Sequence, residues 1–377
     1  MKYKDDFSET FHDEHSFLGF LDQIEENAAW QSYQTNSLRI MAIEEEPDAK
    51  WMIKADSVEL AEQLLADTGQ NTGLMVETED GCYPLGSTAI KTLENRARIS
   101  GYALSDLEKP VFARVINDCL NVTGGKALLR IHERKVRAVH GGDKSDYVVL
   151  PMPQIFEAAA IHVGENYEES KFSEGFFDHS ITMASWEVKD ERLLQTYREL
   201  LLQYGQLADD NLAALIRIHS SDVGVSGANI FCTLLTGKER TPLLLGGALK
   251  LPHKDNASIE AFSGNVSQIF ARYQEEVEGL SNLFQVYVNY PLNVMANVMK
   301  KAEIGLALRA QTVERFRASH GGSRCNGYEV YCGICECIFL AQSNGMNPRG
   351  LVDLEEKVSK CLKYRFHEYD IPGSISY

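Results

Sequence analysis

The residue types in this chain that carry chemistry are eight cysteines, ten histidines and two clusters of cations. Four cysteines, Cys325, Cys332, Cys335 and Cys337, stand as C-x6-C-x2-C-x-C. Structural zinc takes four ligands in a tetrahedron, usually from pairs two to four residues apart on turns. Residues 328–342, however, have helical periodicity, with Tyr331, Ile334, Cys335, Ile338 and Phe339 on one face. Cys337 points away from the face that Cys332 and Cys335 share. The spacing therefore predicts core packing, where a thiol behaves as a small hydrophobe, and no metal. No His-x-x-x-His pair occurs.

His219-Ser220-Ser221-Asp222 sets an imidazole, two hydroxyls and an acid in a row. A nucleophilic triad needs those groups to converge in space, and adjacency along the chain does not provide that. His219, Ser221 and Asp222 are thus a candidate polar site of a hydrolase-type enzyme. The plainer reading is a strand end whose Ser and Asp accept turn amides. Gly124-Gly125-Lys126 lacks the remaining glycine step, the Lys-Ser/Thr pair and the following helix of a phosphate loop. No residue is assigned as catalytic and no cofactor is implied.

The cations are more informative because the chain is so acidic, with a net charge of −17. That balance excludes a protein that coats nucleic acid with its whole surface. Yet residues 126–144 hold six Lys+Arg against two Asp+Glu, and residues 300–324 hold the same. Arg130, Arg134, Lys135, Arg137, Lys300, Lys301, Arg309, Arg315 and Arg317 are the candidates for phosphate contact, with Arg324 nearby. Phosphate contact requires such charges on one exposed surface. The expectation is a local basic groove for DNA, single- or double-stranded. Residues 1–70 carry 5 Lys+Arg and 16 Asp+Glu, which holds most of the negative charge. The alternative reading is a protein-interaction module that uses this acidic face against a host protein.

The N-terminus lacks the apolar core of a signal peptide. No run approaches the ~18 apolar residues of a membrane span. These features predict a cytoplasmic protein with free thiols and no membrane partner.

Several elements must position these groups. Strands are expected at 126–132 and 135–140 about a Glu133–Arg134 turn, with a third short strand before Leu150. Further strands are expected at 38–43, 181–188, 212–235 and 243–251. Asp56 is expected to cap a helix that Gly69 stops, and Pro110, Pro153 and Asp190 open others. After Lys254 apolar residues recur at three and four, as Ile259, Phe262, Val266, Ile269, Phe270, Tyr273 and Val277 do. The predicted fold is α+β, a mixed or antiparallel central sheet flanked by helices. Its expected parts are a loosely held acidic segment 1–30, a body 31–255 and a mainly helical region 256–377 packed on that body.

The order LLRIHERKVRAV, then Asp146-Tyr147, then Asp222-Val223-Gly224, resembles an uncharacterised phage- and plasmid-associated family, domain of unknown function 932, over about residues 80–235. The chain has Asp222 where that family's strand end carries Glu, and lacks the family's Cys-Asn-Gly after Cys232. The resemblance implies an accessory protein of a mobile genetic element, with DNA transactions as its setting.

Overall fold

Alternating apolar residues at 213–220 and 228–236 make the centre of a seven-stranded antiparallel sheet in the computed structural model, which describes residues 1–208 and 210–375. Its spatial order is Ser8–Phe11, Ser170–Asp178, Thr182–Val188, Ala213–Ser220, Ala228–Thr236 and Thr241–Leu244, with Leu249–Leu251 also paired to Ala228–Thr236. The α+β expectation is met, with an antiparallel sheet flanked by helices. Because side chains alternate across a pleated strand, Ala214, Ile216 and Ile218 enter the main apolar core. Arg217 and His219 face the other way. Helices Met152–Asn166, Glu191–Gln203, Ile259–Val266 and Ile269–Phe284 pack on the core face. Helix Pro348–Cys361 lies over the opposite face, where its Glu355 pairs with Arg217 and its Val352 packs with Phe176, Ile181 and Met183.

The helical part after 255 shares this core. Tyr273 Oη stands 2.8 Å from the Leu215 carbonyl oxygen and accepts from Thr233 N at 3.1 Å. The apolar core divides instead near residue 141. A second cluster, from Tyr33 to Val139, lies between helices Ser87–Arg96 and Lys109–Val122 and two small sheets. These sheets are Ala28–Gln34 with Lys126–His132 and Lys135–Gly141, and Arg39–Ala42 with Leu74–Thr78 and Gly81–Pro84.

Several local expectations are corrected. Residues 1–30 are not loosely held. Ser8–Phe11 is an edge strand paired to Gly175–Asp178, and helix Glu14–Glu26 drives Phe17, Leu21 and Ile24 into the main core. The cap of helix Val58–Asn71 is Ser57, whose hydroxyl accepts from Leu60 N, and the helix passes Gly69 to end before Gly73, at φ +67°. No third strand precedes Leu150, because the Asp143 carboxylate accepts from Ser145 N and forms a turn there. Strand Ser170–Asp178 was missed.

Two features of the Lys126–Gly141 hairpin matter below. Its register shifts at Arg130 and Ile131, which face Ala138 and Val136. Arg137 is the extra residue of a β-bulge, so Val136 and Val139 both reach one core although their spacing puts them on opposite faces. Its turn residues Glu133 and Arg134 both have positive φ, 49° and 60°. A two-residue type I′ turn needs this, and Asn-Gly provides it with least strain. Replacing Glu133-Arg134 by Asn-Gly is therefore expected to raise the unfolding free energy by about 1 kcal/mol or more in a urea titration. The exposed Arg134–Asp56 pair lost in the exchange is a minor term. Among the described residues no helix is long and apolar enough to cross a membrane.

Candidate functional site

The hairpin strands and the Ser220–Ala228 turn meet at one junction, and Asp222 organises it. Its backbone carbonyl oxygen accepts from His140 Nε2 at 3.1 Å and from Tyr147 Oη at 3.2 Å. Its carboxylate lies 3.0 Å from the Arg130 guanidinium, which also donates to Glu25 at 2.6 and 3.2 Å. Arg130 therefore bridges the first helix, the hairpin and the second block, with its side chain 3% exposed. It also lies over the Trp30 ring at 5.2 Å. Burial pushes the Asp222 carboxyl up to about 6 although Arg130 attracts it, and Glu25 shares the same cation. Asp222 and Glu25 hold Arg130 charged against the cost of its burial.

The rings form a stack. His140 lies parallel to Tyr147 at 3.8 Å, and Tyr147 stacks on His253 at 5.3 Å. Burial lowers both imidazoles, each to about 4, so both are neutral at pH 7. Gly224 closes against this stack with φ +73°, and a Cβ there would stand 3.0 Å from His140 Cε1. A larger residue would collide with the ring and would be strained in the left-handed region.

Beside the stack opens a cleft of about 580 Å³. Its walls are the end of helix Ser87–Arg96, the strand end at 139–141, Asp146 and Tyr147, the 224–227 turn and residues 252–254. It presents Arg96, Arg98 and Lys254 against one carboxylate, Asp146. Arg96 is anchored, with Nε donating to Thr35 Oγ1 at 2.9 Å and a terminal nitrogen donating to the Gly124 carbonyl at 2.7 Å. Arg98 and Lys254 are exposed on the rim.

The three expected polar residues do not converge. His219 is buried against Phe231, and burial, aided by Arg217 and Lys250, lowers its imidazole to about 3. Ser221 Oγ donates to the Ser180 carbonyl and accepts from Val223 N and Val225 N, while Asp222 turns to Arg130. The neighbour that sequence reasoning passed over, Ser220, does meet an imidazole. His253 Nδ1 donates to the Val148 carbonyl at 3.2 Å, which leaves Nε2 to accept from Ser220 Oγ at 2.9 Å. This is the hydrogen-bond order of an activated hydroxyl. Ser220 is fully buried, however, and does not line the cleft, so its oxygen has no approach to a substrate.

The expected basic groove is also corrected. Arg130 is engaged as described. Lys135 is fully buried between Asp5 and Asp67, and Arg137 donates to Asp5 and to the Tyr3 carbonyl, each at 2.6 Å. Arg134 pairs with Asp56, Arg315 with Glu239 and Glu336, and Arg317 with Glu314. Arg309 is buried, and Lys300 and Lys301 close the exposed end of helix Pro291–Lys301. The hairpin packs on helix Ser87–Arg96, whereas helix Leu306–His320 packs on Pro291–Lys301 and Gly327–Ser343. The two basic segments therefore belong to different packing units. Arg130, Lys135 and Arg137 serve internal carboxylates, because an ion buried without a partner is far costlier than one paired. The acidic N-terminal face is partly consumed in the same way, through Asp5, Glu25, Asp56 and Asp67.

This chain matches no protein family, no curated protein and no solved structure. Arg130 and Tyr147 each bond to Asp222, and Gly224 lies against the His140 ring. Of the cysteines expected to pack, Cys325, Cys335 and Cys337 are buried and Cys332 is half-buried; Cys337, expected off the face that Cys332 and Cys335 share, is the more deeply buried. The cleft's cations had no sequence signal, because Arg96, Arg98 and Lys254 lie in segments of mixed charge.

Proposed function

We propose that this chain binds a short single-stranded nucleic-acid segment in the cleft beside the His140–Tyr147–His253 stack. The observation that carries this reading is the convergence of Arg96, Arg98 and Lys254 on a cleft that also has ring-bearing walls. Cations that follow a phosphate backbone are a main element of sequence-tolerant single-strand binding, and the buried ring stack holds the wall behind them rigid. A cleft of about 580 Å³ has room for one or two nucleotides and is too small for a duplex. An accessory role on a mobile element, implied by the hairpin motifs, belongs to the same proposal.

The test is fluorescence polarisation with a labelled oligothymidylate and a duplex of equal length, titrated across salt. Two or three phosphate contacts on a single strand give a log–log salt slope of about −1.5 to −2. The expected result is single-strand binding with that slope, weakened about tenfold or more in R98E/K254E. Absence of salt-dependent binding at micromolar protein, or binding unchanged in the double variant, overturns the reading. Equal affinity for a mononucleotide and a long strand would replace it with nucleotide binding.

A further inference from the structure

We propose that His320, Cys325 and Glu329 hold one zinc ion. Each of these side chains offers one ligand atom, and the three atoms lie within 4.8 Å of one another. Bonds of about 2.0–2.3 Å to a tetrahedral zinc place ligand atoms roughly 3.3–3.8 Å apart, so closing on the ion takes a contraction of at most about 1–1.5 Å. Thiolate, imidazole and carboxylate together suit zinc rather than calcium or magnesium.

The local sequence builds this cluster. His320 ends helix Leu306–His320, and Gly321 and Gly322, at φ 69° and 70°, turn the chain back on itself. Cys325 then enters the two-residue strand Cys325–Asn326, which is paired to Tyr287–Val288. Asn326 and Glu329 form a reciprocal capping box on helix Gly327–Ser343. Asn326 N donates to Glu329 Oε2 at 2.9 Å, which leaves Oε1 turned toward His320 Nε2 at 3.9 Å. A carboxylate oriented in this way by an outer hydrogen bond is a recurrent feature of metal sites. The His320 ring is stacked on Phe316 at 4.8 Å, and its Nδ1 is buried without a hydrogen-bond partner.

Cys325 is buried, while the His320 and Glu329 side chains are 27% and 34% exposed. Three protein ligands with one side open to water describe a zinc site whose fourth position is taken by solvent. The nearby Asp370 carboxylate is already engaged by Asn289 N and Tyr290 N. Zinc takes Cys325 as the thiolate, so binding releases its proton to solvent. Bound there, the ion ties the end of one helix to the start of the next.

The experiment uses the full chain, stripped with a chelator and titrated with cobalt(II). The expected result is one ion per chain, a near-ultraviolet thiolate-to-cobalt band, visible bands of a tetrahedral ion, and displacement by zinc. The melting temperature rises in the presence of zinc, because only the folded chain assembles the ligands. C325S abolishes the thiolate band. E329Q keeps the capping box, which glutamine also completes, so it stays folded yet binds about tenfold or more weakly. C332S/C335S binds as the parent does. A folded chain with no cobalt spectrum, or a thiolate band that survives in C325S, overturns the site.

Discussion

Replacing Arg130 by methionine is expected to lower the unfolding free energy by about 3–5 kcal/mol. The substitution keeps much of the side-chain volume but leaves Asp222 buried with no counter-charge, and Glu25 half-buried beside it. Asp222 also holds His140 and Tyr147 through its carbonyl, so the wall of the cleft loosens together with the ion pair. Chemical denaturation of the parent and R130M measures the loss. R130M/D222N is expected to recover a substantial part of it, because an amide buried there costs less than a carboxylate. A change below about 1 kcal/mol in R130M would mean that the bridge is idle, as most exposed pairs are.

The second large effect is expected on the other strand of the same hairpin. Asp5 joins two buried cations, contacting Lys135 Nζ at 2.9 Å and Arg137 at 2.6 Å, and its side chain is 4% exposed. D5N leaves both cations short of charge and is expected to cost about 3–5 kcal/mol. Burial pushes the Asp5 carboxyl up, but Arg137, a Ser87 hydrogen bond and Lys135 outweigh it and bring the group down to about 2. The folded chain therefore binds fewer protons at this group than the unfolded chain, whose carboxyl titrates near 3.8. The corresponding stability, about 2 kcal/mol, is fully present above pH ~4 and is lost as pH falls toward about 2. Urea titrations of the parent and D5N across that window should converge as the pH drops. Parallel curves would show that Asp5 does not titrate in this way.

Periodicity made much of the fold legible. The two-residue alternation at 126–132, 182–188 and 213–220, and the three-and-four recurrence after 254, both reappear as drawn, because burying one face of a strand or helix leaves a local imprint. The missed pieces were those whose partners are far away in sequence. Strand Ser8–Phe11 carries little apolar signal of its own and exists by pairing to Ser170–Asp178. The bulge at Arg137 overrode the alternation that set Val136 apart from Val139. The candidate site was legible only in part. His140 lies in the expected hairpin and Tyr147 just after it, but the hairpin joins a small sheet of its own and not the main one, and Arg96, Arg98 and Lys254 gave no pattern.

By itself the sequence determined the α+β class, the antiparallel hairpin, the helix starts at Pro110, Pro153 and Asp190 and the burial of the cysteine-bearing helix. These follow from short-range rules of pleat, turn and cap that each segment carries within itself. Only the tertiary structure decided what the charges do. Arg130, Lys135 and Arg137 read as an exposed basic stripe until Asp222, Glu25, Asp5 and Asp67 arrive from positions 68 to 132 residues away in the chain. A side chain's charge is local, whereas its availability to a ligand depends on which opposite charge the fold buries against it.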